Sequence, residues 1–149
     1  MTDTELIYET YIRASAERVW NALTSAEFTS QYFYGTHVES TWKPGAAVRY
    51  FNEPGGTVAV EGEVLEADPP NKLVISWHVL YDDDACTERP SRVSFYVEDL
   101  GEQTKLRIVH DDFPDDSVVP DSVRQGWPWI IAGLKSLLET GEALPSPAT

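Results

Sequence analysis

From Gly126 to Glu139 the residues Trp127, Ile130, Ile131, Leu134, Leu137 and Leu138 recur at the spacing of one broad helical face. A face so wide and so apolar has to be covered. Upstream of residue 111 the chain reads mainly as short strands bounded by turn residues, so the inner surface of a sheet is the natural cover. The expected class is α+β: a curved antiparallel sheet of about six or seven strands, two short helices, and a long C-terminal helix packed across the sheet.

Residues 6–13 are rich in Tyr, Ile and Thr and suit a first strand. Ser15 is placed to cap a short helix whose apolar stripe is Ala16, Val19, Trp20 and Leu23, and Ser25 to cap a second one running to about Tyr32. Gly35 closes that unit. Strands are expected near 36–42, 46–52, 57–67, 73–80, 92–98 and 104–110, separated by turn chemistry at Pro44-Gly45, Pro54-Gly55-Gly56, Asp68-Pro69-Pro70 and Asp99-Leu100-Gly101. The acidic, proline-bearing stretch 111–120 reads as a linker. Ser122 and Gln125 have capping-box spacing, which starts the last helix near Val123 and places Pro128 inside it. Pro128 has no N–H for the Arg124 carbonyl, so a kink is expected there; the alternative is a shorter helix that begins at Pro128. Residues 143–149 read as a flexible tail, and the whole chain, 1–149, as one domain.

Lys and Arg number 11 against 25 Asp and Glu, and the net charge of −14 repels nucleic-acid phosphates and anionic lipid alike. No nucleic acid and no membrane is expected as a partner. Cys86 is the only cysteine, which excludes an intramolecular disulfide and a cysteine-rich metal site. Residues 1–5 lack the basic and apolar regions of a signal peptide, so a cytoplasmic protein is expected.

Alternation along the strands fixes which side chains share the inner face. Leu73, Ile75, Trp77 and Val79 fall together, as do Val93, Phe95 and Val97, and then Leu106, Ile108 and His110. By weaker alternation Val38 and Trp42, Val48 and Tyr50, and Val58, Val60 and Val64 join them. The candidate ligand-binding set is therefore Trp42, Tyr50, Trp77, Phe95, His110, Trp127 and Ile131, lining a pocket between sheet and helix. Gly133, inside the helix, lets a neighbouring helix, the sheet or a ligand approach closely.

Chemistry is sparsely signalled. His37 and His78 fall on the outer side and only His110 points inward, so neither a metal site nor a cofactor is expected. No catalytic residue is assigned. His110 and Tyr50 are the sole candidates for one, with Tyr96 as an alternative to Tyr50 for orienting a carbonyl. Asp82-Asp83-Asp84 and the Asp111–Asp116 cluster read as solvated loops, since the spacing of a calcium loop is missing. Cys86 lies among acids that disfavour its thiolate. No Ser-His-Asp signature, phosphate loop or dinucleotide fingerprint occurs.

Four stretches in order carry a likeness to a known family: residues 12–24 around Val19-Trp20-Asn21-Ala22-Leu23, then Trp42-Lys43-Pro44-Gly45, then residues 62–77 around Asp68-Pro69-Pro70-Asn71-Lys72-Leu73, and finally Gly126-Trp127 with its helix. Together they resemble the SRPBCC superfamily, the helix-grip fold of START lipid-transfer domains and the birch pollen allergen. Within it the chain is most similar to bacterial homologues of the heat-shock-protein ATPase activator. The inward aromatics opposite a helix interrupted by Pro128 and Gly133 point to a binding protein for a small hydrophobic or aromatic ligand, and the resembled superfamily includes apolar-ligand carriers. Its alternatives are a polyketide cyclase or aromatase-like enzyme and a co-chaperone-like interaction module.

Overall fold

A computed structural model describes residues 4–145. Strand β1 (Leu6–Ile12) leads into helices α1 (Ala16–Thr24) and α2 (Ala26–Tyr32). Strands β2 (His37–Glu39), β3 (Ala47–Phe51), β4 (Val58–Asp68), β5 (Lys72–Val79), β6 (Ser91–Asp99) and β7 (Thr104–Asp111) follow, and α3 (Val119–Val123) and α4 (Gly126–Thr140) close the chain. The sheet has seven strands in the order β1-β7-β6-β5-β4-β3-β2. All its pairings are antiparallel. The first strand thus pairs with the last, and α1 and α2 carry the chain from one edge of the sheet to the other.

The expected alternation holds along the long strands: Leu73, Ile75, Trp77, Val79, Val93, Phe95, Val97, Leu106, Ile108 and His110 are all buried. They face the apolar side of α4, where Trp127, Ile130, Ile131, Leu134, Leu137 and Leu138 are buried as well. Ser15 caps α1, its hydroxyl accepting from the Arg18 N–H at 3.2 Å. Ser25 caps α2 through its carbonyl alone, which accepts from Phe28 and Thr29. Gly133 faces α2: a Cβ there would lie 3.3 Å from Tyr32 Cβ, so the glycine serves helix–helix packing.

Two expectations need correction. The strand foreseen over 36–42 stops at Glu39, and Trp42 has a left-handed backbone with φ of 61°. That reversal ends the alternation from Val38, and the Trp42 indole N–H instead donates to the Thr24 carbonyl at 3.0 Å, at the end of α1. The final helix is not one kinked rod from Val123. It is two helices, and Pro128 is the third residue of α4, in the first turn, where its missing N–H leaves no bond broken within the helix. Arg124 and Gln125 between them keep right-handed helical dihedrals, and the Arg124 carbonyl that Pro128 cannot serve accepts from the Tyr8 hydroxyl at 3.0 Å.

The stretch read as a linker is tied down. Phe113 is buried against His110, with ring centroids 4.6 Å apart. The Glu88 carboxylate accepts from the Ser117 hydroxyl and from the Val118 N–H. Of the expected tail, residues 146–149 lie outside the described residues, and Ala143 packs against the core.

Candidate functional site

The inward aromatics gather in one cluster under the start of α4. Phe33 stacks on Tyr50 at 4.9 Å, Tyr50 meets Trp77 at 5.3 Å and Trp77 meets Trp127 at 5.4 Å. Phe33 and Phe95 both set an edge against Trp127, at 5.8 and 6.3 Å. At these separations the rings fill space by packing on one another. Beside the cluster, near the first turn of α4, a cavity of about 340 Å³ remains. Phe33, Trp77, Trp127 and Ile130 form its walls, and Ala59 and Val60 of β4 contribute the sheet side. Its polar lining comes from Thr36, Asn52, Ser122 and the two exposed tyrosines Tyr34 and Tyr81. The Tyr81 hydroxyl lies 3.3 Å from Ser122 Oγ, joining the end of β5 to α3.

Of the residues expected to bind a ligand, Trp77 and Trp127 line this cavity. Tyr50 stands behind Phe33, and Phe95 and His110 stand behind Trp127. Ile131 is buried in the core and Trp42 is half-buried beside α1, both away from the cavity. Sequence reasoning missed Phe33 and Tyr34 after α2, and Tyr81, Ser122, Val123 and Gly126. The available signal was an aromatic residue set just ahead of a turn: Tyr34 before Gly35, and Tyr81 before Asp82-Asp83-Asp84.

His110 is fully buried and both its ring nitrogens are engaged. The Trp127 indole N–H donates to Nδ1 at 3.0 Å. An indole nitrogen only donates, so Nδ1 carries no proton and the neutral ring holds it on Nε2. Nε2–H then donates to Ser91 Oγ at 2.7 Å, and the Ser91 hydroxyl donates onward to the Trp77 carbonyl at 3.3 Å. Burial pushes the His110 pKa down to about 3, so the imidazole stays neutral. It presents no lone pair and no proton to the cavity. Burial also raises the pKa of Tyr50 well above its ordinary value. Tyr96 lies on the opposite face of the sheet, 38% exposed. His78 Nε2 is occupied at the Cys86 carbonyl, 2.9 Å away. Among the described residues no group of three or more His, Cys, Asp or Glu side chains is arranged to hold a metal.

One polar group in the cavity wall stands apart. Trp77 is 4% exposed and its Nε1 has no hydrogen-bond partner among the described residues. The indoles of Trp42 and Trp127, by contrast, each donate at 3.0 Å.

The model of the family described as "Activator of Hsp90 ATPase homolog 1-like protein" matches residues 13–139. No curated protein sequence matches the chain. The solved structures similar in fold include the following three. Protein MLL2253 from Mesorhizobium loti is 24% identical, with a TM-score of 0.75 over 91% of this chain and 96% of that one. The Aha1 dimer from Colwellia psychrerythraea is 18% identical, with a TM-score of 0.74 over 94% of this chain and 99% of that one. A protein encoded by gene BPP1335 from Bordetella parapertussis is 25% identical, with a TM-score of 0.73 over 98% of this chain and 80% of that one.

Proposed function

Because the chain belongs to the Activator of Hsp90 ATPase homolog 1-like family and has the helix-grip fold, we propose that it binds a small hydrophobic or aromatic molecule in the cavity at the start of α4. The observation that carries this reading is the cavity itself, about 340 Å³ and walled by Phe33, Trp77, Trp127 and Ile130. That volume and that mixture of apolar walls with a few polar groups fall within the ordinary range for ligand pockets. A cytoplasmic location belongs to the same reading, since a free, exposed Cys86 suits a reducing compartment.

The test is native mass spectrometry with a set of apolar compounds, read beside quenching of the tryptophan fluorescence from the cavity wall. Val123→Trp, which adds bulk at the cavity's edge, is expected to abolish binding while leaving the unfolding transition in place. Unaltered binding to that variant would remove the ligand from this cavity.

A protein-interaction role is the second reading, favoured by the family and by the open outer face of the sheet. On this acidic protein Lys72, Arg92, Lys105 and Arg107 gather there in ion pairs with Glu66, Asp111 and Glu9. A partner recognised by these charges would be captured at low salt and lost at high salt. Capture indifferent to salt would count against it.

A further inference from the structure

We propose that the cavity takes its ligand end-on: an apolar body is buried against Trp127, and one uncharged hydrogen-bond acceptor stays at the mouth, where the hydroxyls of Tyr34 and Tyr81 read it. This rests on the cavity being a ligand site.

The lining divides by depth. Phe33, Val60, Val123, Trp127 and Ile130 are buried, whereas Tyr34, Asn52, Tyr81 and Ser122 are exposed, so each exposed lining residue is polar and uncharged. The buried side chains have no proton to give. Thr36 donates its hydroxyl to the Phe33 carbonyl at 2.7 Å, Trp127 donates its indole N–H to His110, and the Trp77 N–H is sealed from solvent. A ligand carbonyl pushed to the floor would lose its water and meet no side-chain donor. The apolar end therefore enters first.

Particular contacts hold both phenols at the opening. The Tyr34 hydroxyl lies over the first residue of α4, since a Cβ on Gly126 would come within 3.3 Å of it. The Tyr81 hydroxyl lies 3.3 Å from Ser122 Oγ in α3. Phenols donate at neutral pH, and burial, then the nearby Tyr81, raise the Tyr34 pKa and keep that proton in place. Tyr34 also stands at φ 53°, a left-handed backbone that bulky residues rarely take. It is 62% exposed, so packing does not account for a bulky residue there, and strain of this kind gathers at ligand clamps.

Donors at the mouth call for an acceptor, and charge decides which. An acceptor on an apolar molecule is either neutral, as a carbonyl or ether is, or anionic. Among the described residues none that lines the cavity is charged at neutral pH, and Glu53 and Asp82 adjoin the mouth residues Asn52 and Tyr81 in sequence. Arg124, beyond Ser122, is paired with Asp121 at 3.7 Å. An anion would thus meet no free cation in the lining, and the net charge of −14 repels it.

Three compounds separate these effects: 2-acetonaphthone, its shape-matched alkene 2-isopropenylnaphthalene, and 2-naphthoate. Each is titrated at pH 7 against the unaltered protein and against a variant carrying both Tyr34→Phe and Tyr81→Phe. The variant is expected to bind the ketone about ten-fold more weakly, corresponding to the lost hydrogen bonds, and the alkene within about two-fold of the unaltered protein. Naphthoate should bind more weakly than the ketone, with the gap narrowing as salt rises. A ketone loss no larger than the alkene's would overturn the role of the two phenols. Naphthoate binding as tightly as the ketone at low salt would overturn the preference for a neutral acceptor. Either result leaves the cavity as a ligand site so long as Val123→Trp abolishes binding. If none of the three binds the unaltered protein, or if Val123→Trp binds them unaltered, the cavity reading falls and this inference with it. Where the double variant does not fold, orientation in the unaltered protein serves instead. Nuclear Overhauser contacts should join the acetyl methyl to the rings of Tyr34 and Tyr81 and the far ring of the ketone to Trp127 or Ile130, and the reverse pattern refutes end-on entry.

Discussion

Trp127 donates its indole N–H to Nδ1 of His110 at 3.0 Å, so a wall of the cavity is held by a side chain that never reaches it. The same imidazole ties β7 to β6 through Ser91. His110 therefore acts on the cavity through position, by fixing the plane of the Trp127 ring.

Replacing His110 with Leu keeps the volume approximately, strands one buried donor, the Trp127 N–H, and takes from Ser91 Oγ the proton it accepts. The expected loss is about 2–4 kcal/mol in unfolding free energy. Urea titration followed by fluorescence measures it, and a loss below about 0.5 kcal/mol would mean the chain through His110 is dispensable.

The same ring gives the protein a defined sensitivity to acid. Folded His110 titrates near about 3 because of burial, whereas an unfolded histidine titrates near about 6.5. Between those values the unfolded chain holds a proton that the folded chain refuses, so stability rises with pH across that window. The contribution is fully present above about pH 6.5 and falls by up to about 1.4 kcal/mol per pH unit as pH drops towards 3. Among the described residues Glu139 is the other shifted group on the acid side. Its bond from Lys135 and the Arg13 N–H hold its pKa below 4.5, so its stabilisation is lost only as pH falls below that value. Urea midpoints compared at pH 7, 6 and 5 therefore isolate His110. The His110→Leu variant should show a flatter profile than the unaltered protein, and parallel profiles would contradict the assignment.

Gly62 is expected to tolerate no side chain. A Cβ at this position in β4 would sit 1.8 Å from the Ser76 carbonyl oxygen of β5 and 2.7 Å from its carbon. The obstacle is backbone, so relief requires the strands to part beside the point where the Ser76 hydroxyl accepts the Glu63 N–H at 2.8 Å. Gly62→Ala should cost about 2–3 kcal/mol, which for a chain of this size lowers Tm by roughly 5–10 °C. Calorimetry decides the matter, and an unchanged Tm would mean that the two strands separate without penalty.

The parts of this fold that sequence makes legible are those governed by local period. Alternation placed His110, Trp77 and Phe95 on the inner face, and helical spacing placed Trp127 against them. Trp42 escaped because alternation assumes extended backbone, and a single residue at φ 61° cancels it. The exact place of the expected pocket and most of its lining escaped for a different reason. Its walls come from five separated segments, and whether inward aromatics surround a void or fill it depends on distances that strand parity does not contain. The engagement of both His110 nitrogens, by residues 17 and 19 positions away, was illegible on the same ground: an inward histidine looks alike from sequence whether its ring is free or fully bonded.

The break between α3 and α4 yields the last prediction. Pro128 cannot donate to the Arg124 carbonyl, and the Tyr8 hydroxyl of β1 does so at 3.0 Å. Tyr8→Phe should cost about 1 kcal/mol, the usual worth of one such bond. With Pro128→Ala the backbone regains a donor four residues after Arg124, and the dihedrals at Arg124 and Gln125 are already helical. The carbonyl then has an alternative, so Tyr8→Phe should cost about 0.5 kcal/mol less in the Pro128→Ala background than in the unaltered one. A double-mutant cycle built from urea unfolding measures that difference. Strict additivity of the two substitutions would show that Tyr8 and Pro128 do not share the Arg124 carbonyl, and that the break has another cause.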